Sequence, residues 1–197
     1  MSISAKDVQK LRKMTDAGFM DCKKALAKTD GDIDKAVDEL RKAGIAKANK
    51  KLGRDAGEGR IFSYIHTNQK IGVMVELFCE TDFVAKTPDF QQLGNDIAMH
   101  IAAANPIAVK REDVDEDTIA KEREIFMDQA KKMGKPEKVL DRIVDGKIDK
   151  FFKERILMEQ EFIKDPDSTI EEMIKQFIGK VGENIQVGNF YRSDLTD

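Results

Sequence analysis

Ile71-Gly72-Val73-Met74-Val75-Glu76-Leu77-Phe78-Cys79 runs directly into Glu80-Thr81-Asp82-Phe83-Val84-Ala85. The change of rhythm between the two halves organises the reading of the chain around them. In the first half Ile71, Val73, Val75, Leu77 and Cys79 share one face, as the two-residue repeat of a strand requires. At Cys79 the alternation stops. Asp82 and Phe83 then stand between the strand end and a helix that restarts with Thr87 as cap and Pro88 at the first helical position. Upstream, residues 60–66 read as a second strand, and Thr67-Asn68-Gln69-Lys70 is a polar four-residue loop suited to a hairpin. Downstream, Phe90, Leu93, Ile97 and Ile101 recur at three- and four-residue spacing, so a helix through Ala104 can cover one face of the sheet. Asn105-Pro106 ends it.

Working outward, residues 4–43 read as three short helices. Ser4 with Asp7 forms a capping pair before Val8, Leu11 and Met14. Thr15-Asp16-Ala17-Gly18 turns the chain, and Phe19-Met20 lead into Cys22, Ala25 and Leu26. Asp32 can cap a third helix, with Ile33, Ala36, Val37 and Leu40 inward and an end near Gly44. About 40 residues make a marginal core, so this module should lean on its neighbours. Residues 46–59 form a linker rich in Lys, Arg and Gly, partly helical before its glycines.

Toward the C-terminus, residues 116–134 and 136–157 form two long helices broken by Met133-Gly134-Lys135-Pro136. Ile119, Phe126 and Met133 repeat every seven residues. Val139, Leu140, Ile143, Val144, Ile148, Phe151 and Phe152 supply the facing stripe of an antiparallel hairpin. Ser168 and Glu171 should cap a last helix, with Ile170, Met173, Ile174 and Phe177 inward and Gly179 and Gly182 breaking it. Residues 185–192 read as a third strand. The expected fold is α+β: an N-terminal three-helix bundle (1–45), the linker (46–59), and an α+β core (60–197). That core holds a small antiparallel three-stranded sheet, covering helices and an inserted helical hairpin at about 115–160.

Composition narrows the function. The chain has 197 residues, 36% of them charged, with a net charge of −3. A general nucleic-acid binder needs a basic surplus to release phosphate counterions, so no direct nucleic-acid partner is expected. No apolar run approaches the roughly 20 residues of a membrane span. The opening Met1-Ser-Ile-Ser-Ala-Lys leads into an amphipathic helix without the apolar segment of a secretory signal. Cys22 and Cys79 fall on apolar faces with no ligand spacing around them, as reduced cysteines of a cytoplasmic protein would. No cofactor and no metal is expected.

Motifs for covalent chemistry are missing. The sequence has no Gly-rich phosphate loop, no Gly-x-Ser-x-Gly elbow, and no nucleophile paired in sequence with His66 or His100. Cys79 reads as a strand cysteine in phase with Leu77, and His100 as a satisfied structural histidine in an apolar helix. Two readings of Asp82-Phe83 stand open. In one, Asp82 caps a turn and Phe83 tucks into the core. In the other, a large ring beside a carboxylate, held on a short turn from a rigid strand, is a wedge for a partner's pocket. Phe19-Met20 divide in the same way between bundle core and contact surface.

A set of motifs spread over residues 4–192 resembles the elongation factor Ts family. They are Leu11-Arg12, Thr15, Ala17-Gly18, Met20-Asp21-Cys22-Lys23-Lys24-Ala25-Leu26 and Gly31-Asp32 at the N-terminus, and Thr81-Asp82-Phe83-Val84-Ala85-Lys86 after the strand. Ile97-Ala98-Met99-His100-Ile101-Ala102-Ala103 with Pro106 resembles the family's core helix, Gly134-Lys135-Pro136 the tip of its hairpin, and Gly182-Glu183-Asn184-Ile185 its closing strand. The opening bundle also looks ubiquitin-associated-like.

The resemblance implies a guanine nucleotide exchange factor that promotes GDP release from elongation factor Tu, without covalent chemistry of its own. Thr81, Asp82, Phe83 and Val84 would act near the partner's magnesium, and Arg12, Phe19, Met20 and Lys23 would grip the GTPase. Tyr64-x-His66 resembles a motif of the second core unit in longer members, which would make His66 a further contact. With one such unit, the chain resembles the short form, in which two chains pair through their sheets, and the free edges of a three-stranded sheet invite a homodimer. An adaptor with a ubiquitin-associated-like bundle on a dimerisation scaffold is the alternative. A hydrolase with an unrecognised site is a third reading.

Overall fold

The computed structural model describes residues 3–15, 17–134 and 136–196. Asp16 of the first turn and Lys135 of the hairpin tip lie outside the described residues. In chain order the elements are α1 (Ala5–Thr15), α2 (Phe19–Lys28), α3 (Ile33–Asn49), β1 (Glu58–Ile65), β2 (Ile71–Cys79), α4 (Asp82–Ala85), α5 (Pro88–Ala104), α6 (Glu116–Lys132), α7 (Glu137–Arg155), β3 (Glu161–Phe162), β4 (Asp165–Thr169), α8 (Ile170–Val181) and β5 (Gln186–Asp194). The fold is α+β, with an N-terminal helical bundle and a small antiparallel three-stranded sheet. It divides into two compact units. One holds residues 1–59, 78–87 and 172–186, and the other 60–77, 88–171 and 187–197.

In the first unit, α1 to α3 close around Val8, Leu11, Cys22, Ala25, Leu26 and Ala36, with Ile33, Val37 and Leu40 packed against them. The Ser4 hydroxyl accepts from the Asp7 N–H at 3.1 Å and donates to its carboxylate at 2.6 Å. The Asp32 carboxylate accepts from the Lys35 N–H at 3.1 Å and opens α3, so both expected caps form. Met14, expected inward, is exposed. Two successive three-residue steps carry it about 120° around the helix from Val8.

Gly44 does not end α3, which continues to Asn49, and Gly179 does not break α8. A Cβ placed on Gly179 would stand 2.9 Å from the Gly44 carbonyl oxygen, so the glycine at 179 is what lets α8 approach the backbone of α3 this closely. Arg41 pairs with Glu172 at 3.2 Å beside it. The bundle thus leans on α8, as its small core requires. Gly182, at φ 77°, follows the end of α8, and its N–H bonds the Ile178 carbonyl at 2.8 Å.

In the second unit the sheet order is β1-β2-β5. Phe62, Val73, Val75 and Leu77 are buried on one face together with Phe90, Leu93, Ile97 and Ile101 of α5. The rings of Phe62 and Phe90 lie 5.9 Å apart, and Arg192 of β5 donates to the Ala102 carbonyl at 3.2 Å. The sheet's other face therefore carries Ile61, Ile65, Met74 and Tyr191, all exposed. A Cβ on Gly94 would fall 2.2 Å from the Phe62 ring. Gly94→Ala gains about 1 kcal/mol of helix propensity but forces a buried ring aside, at about 1–3 kcal/mol. The expected result is a net loss of roughly 1 kcal/mol, read as a lower urea midpoint. A raised midpoint would mean that the ring yields freely.

The hairpin α6–α7 buries Leu140, Val144, Ile148 and Phe152 along one line of α7. Ile119 and Phe126 pack against this core, whereas Met133, beyond the end of α6, is exposed. Arg111 is bound by Glu159 and Asp149 and stacks over Phe152, 4.6 Å from the ring centre. Between hairpin and α8 lies an unforeseen two-stranded ribbon, β3–β4. Ser168, expected as a helix cap, is a β4 residue whose hydroxyl donates to Asp165 at 3.0 Å.

His100 is fully buried. The Ile163 N–H reaches its Nδ1 at 3.4 Å and the Gln160 Oε1 lies 3.0 Å from its Nε2, a neutral ring with its proton on Nε2. Burial holds its pKa below the ordinary 6.5, against the opposing effect of the hydrogen bond it donates to Gln160. Below pH 6.5 the unfolded chain binds a proton that the folded chain refuses, so stability falls as pH falls from 6.5 toward the folded value. Thermal midpoints at pH 7.5 and 5.5 should show a smaller acid loss for His100→Gln than for the parent. Equal losses would remove His100 as the source.

Candidate partner-binding site

Strand β2 ends at Cys79, which is fully buried. Its thiol donates to the Thr81 carbonyl at 3.1 Å. Burial foremost, then the charge of Glu183, pushes the thiol pKa up, so Cys79 is a protonated structural group rather than a nucleophile. Thr81 is extended (φ −132°, ψ 154°) and caps α4 by accepting from the Val84 N–H at 3.4 Å. Thr81, not Asp82, is therefore the cap.

Within α4, Ala85 is buried and Phe83 is 80% exposed. Residues two apart on a helix point about 200° apart, so an inward Ala85 sends Phe83 outward. The reading that tucks Phe83 into the core fails on this geometry. Asp82 is paired with Lys86 one turn on, and that hydrogen bond chiefly holds its carboxyl below the usual range. The tip is thus an ionised carboxylate and an open benzyl ring, side by side on one helical turn.

The base of the tip is tied to a distant segment. The Glu183 carboxylate accepts from the Thr81 N–H at 3.0 Å and from its hydroxyl at 2.7 Å. The Glu80 carboxylate accepts from the Asn184 N–H at 2.7 Å and pairs with Arg54 at 3.6 Å. The Asn184 amide, fully buried, donates to the Arg54 carbonyl at 2.7 Å. Glu183 and Asn184, in the stretch that resembles the family's closing strand, lie in the turn between α8 and β5, just ahead of the strand itself.

The other expected contacts fall in both units. Arg12, Phe19, Met20 and Lys23 are all exposed, and their bundle belongs to the same compact unit as Thr81, Asp82, Phe83 and Val84. Phe19 and Met20 open α2 and stand outside the bundle core. Asp21 beside them is paired with Lys47 at 2.8 Å, which lowers its carboxyl pKa. His66 belongs to the other unit, at the β1–β2 turn, with Nδ1 3.1 Å from the Tyr64 hydroxyl. Met14 adds an exposed apolar group at the end of α1 that sequence reading had placed inside. Among the described residues no group of three or more His, Cys, Asp and Glu is placed to hold a metal, and no helix is long and apolar enough to cross a membrane.

Comparison with known proteins gives this geometry a family. The family model described as Elongation factor TS matches residues 5–194. The chain is 57% identical over 190 residues to the elongation factor Ts of Thermosipho melanesiensis, covering 96% of this chain and 97% of that protein. It is 54% identical over 195 residues to that of Fervidobacterium nodosum, covering 99% of each. For Geobacter sulfurreducens the identity is 53% over 192 residues, covering 98% of this chain and 89% of the relative. With a family match and identities above one half along nearly its whole length, this chain belongs to the elongation factor Ts family of translation elongation factors.

Proposed function

We propose that the chain is a guanine nucleotide exchange factor for elongation factor Tu, and that Phe83 is the group that loosens the partner's hold on GDP. The observation that carries this reading is the exposure of Phe83 on a turn anchored at its base. An isolated aromatic side chain gains nothing from water, and this one is held where a second molecule can cover it. A GTPase keeps its nucleotide partly through Mg²⁺, which demands near-octahedral geometry. A ring pressed in near that ion displaces its ligands or waters. Asp82 and the flanking Thr81 and Val84 set the tip's approach. Arg12, Phe19, Met20 and Lys23 grip the GTPase, and His66 adds a contact.

The thermodynamics is negative coupling. A factor that binds the nucleotide-free GTPase better than the GDP form must lower GDP affinity by the same ratio. No bond in the chain is made or broken, so the activity is a cycle of binding steps in the cytoplasm. The open sheet face of Ile61, Ile65, Met74 and Tyr191 supports a homodimer through that face, the second copy completing the partner-binding surface. Release of a fluorescent GDP analogue from elongation factor Tu, with and without this chain, tests the proposal. Acceleration is expected, together with a stable complex with the nucleotide-free GTPase that GDP and Mg²⁺ dissolve. Binding insensitive to GDP and carried by the N-terminal bundle alone would favour an adaptor instead.

A further inference from the structure

We infer that Glu183 is a positioning residue for the Phe83 tip, acting through Thr81 and resting on the exchange reading above. The tip cannot hold itself. A single four-residue turn gains too few hydrogen bonds to repay the ordering of its backbone, and its largest side chain is in solvent. Something outside α4 must set its direction. One carboxylate oxygen of Glu183 takes the Thr81 N–H and the other takes its hydroxyl. Both bonds are charge-assisted, and together they fix the backbone and the side-chain rotamer of one residue. Because the hydroxyl proton is committed to Glu183, a lone pair of the same oxygen is left to face the Val84 N–H and cap α4.

The bond pair is braced by its mirror image. Glu80, one residue before Thr81, receives the N–H of Asn184, one residue after Glu183. Neighbours in one segment thus clasp neighbours in another 102 residues away. Arg54 ties a third segment to both, through its carbonyl to Asn184 and its guanidinium to Glu80. Among the described residues the side-chain hydrogen bonds of Glu183 go to Thr81, which routes its effect on exchange through the tip.

The test is the maximal rate of GDP release from elongation factor Tu at saturating factor, measured for Glu183→Gln in the parent and in the Phe83→Ala background. Glutamine keeps one acceptor oxygen for the Thr81 N–H and replaces the other with a donor, so the charge assistance of both bonds is lost and the Thr81 hydroxyl must change from donor to acceptor. The expected result is a fall of about tenfold in the parent and less than twofold when Phe83 is already alanine, with circular dichroism unchanged. A tenfold fall in both backgrounds would show a merely structural role and overturn the inference, as would no fall in either. If Phe83→Ala itself leaves stimulated release unchanged, the wedge and this inference fall together, whereas a parent chain that does not accelerate release at all removes the exchange reading, which separates the two failures. Should Glu183→Gln not fold, Glu183→Asp, which keeps the charge on a side chain one methylene shorter, is read in the same two backgrounds. A fall confined to the background that retains Phe83 supports the inference, and equal effects in both overturn it.

Discussion

Phe83→Ala is expected to slow factor-stimulated GDP release from elongation factor Tu by more than tenfold while leaving the fold intact. Both halves of that expectation come from one number. At 80% exposure the ring has little packing to lose, and surface substitutions usually stay within about 0.5 kcal/mol. A buried phenylalanine would cost about 3–5 kcal/mol on truncation to alanine. The thermal midpoint should therefore move by no more than a few degrees, since about 1 kcal/mol shifts a chain of this size by roughly 2–4 °C. A tenfold rate change is only about 1.4 kcal/mol of barrier, less than fully burying one phenyl ring is worth. The ring has that energy to spend because the free protein leaves it unburied. Stopped-flow release of a fluorescent GDP analogue reads the rate, and calorimetry reads the midpoint. Unchanged release with an unchanged midpoint would remove the wedge. A large fall in midpoint would mean that the ring packs inward after all.

Why the sequence left this ring ambiguous is a matter of period. Over Ile71–Cys79 the two-residue repeat is long enough to fix the strand, its buried face and its end, and the structure matches those bounds. Caps made three residues apart, at Ser4 and Asp32, were equally legible because donor and acceptor are both local. From Glu80 to Lys86 no repeat is long enough to assign a face. A phenylalanine there fits a core and a tip equally well until Ala85 is known to be inside. Gly44 and Gly179 were legible as glycines but not as partners. Each looked like a helix end, and only the crossing of α3 and α8 shows why Gly179 has no room for a side chain. The clasp at Glu183 was least visible, for it joins residues 102 apart whose local sequences give no sign of each other. The ribbon β3–β4 went unread because two- and five-residue strands carry too few residues for alternation to register.

If the chain pairs through its open sheet face as proposed, Met74→Glu is expected to leave it monomeric at micromolar concentration. Met74 lies on the central strand of the β1-β2-β5 sheet, flanked by Val73 and Val75, which face α5. Its own side chain points the other way, with Ile61 and Ile65 on one neighbouring strand and Tyr191 on the other. These four side chains are 54–70% exposed, an apolar patch that a second copy can cover. In a two-fold pair every substitution appears twice, so one change places two carboxylates in the contact. Removing an unpaired carboxylate from water costs several kcal/mol. Even about 2.7 kcal/mol in total raises the dissociation constant a hundredfold. The same residue costs little in the isolated chain, where its side chain is in solvent, so the monomer should stay folded. Sedimentation velocity across a concentration series distinguishes this from pairing along the free edges β1 and β5. Edge pairing depends on backbone hydrogen bonds and is indifferent to a side chain at the centre of the face, so a dimer that survives Met74→Glu and is lost when proline replaces an outer-strand residue would move the interface from the face to the edge.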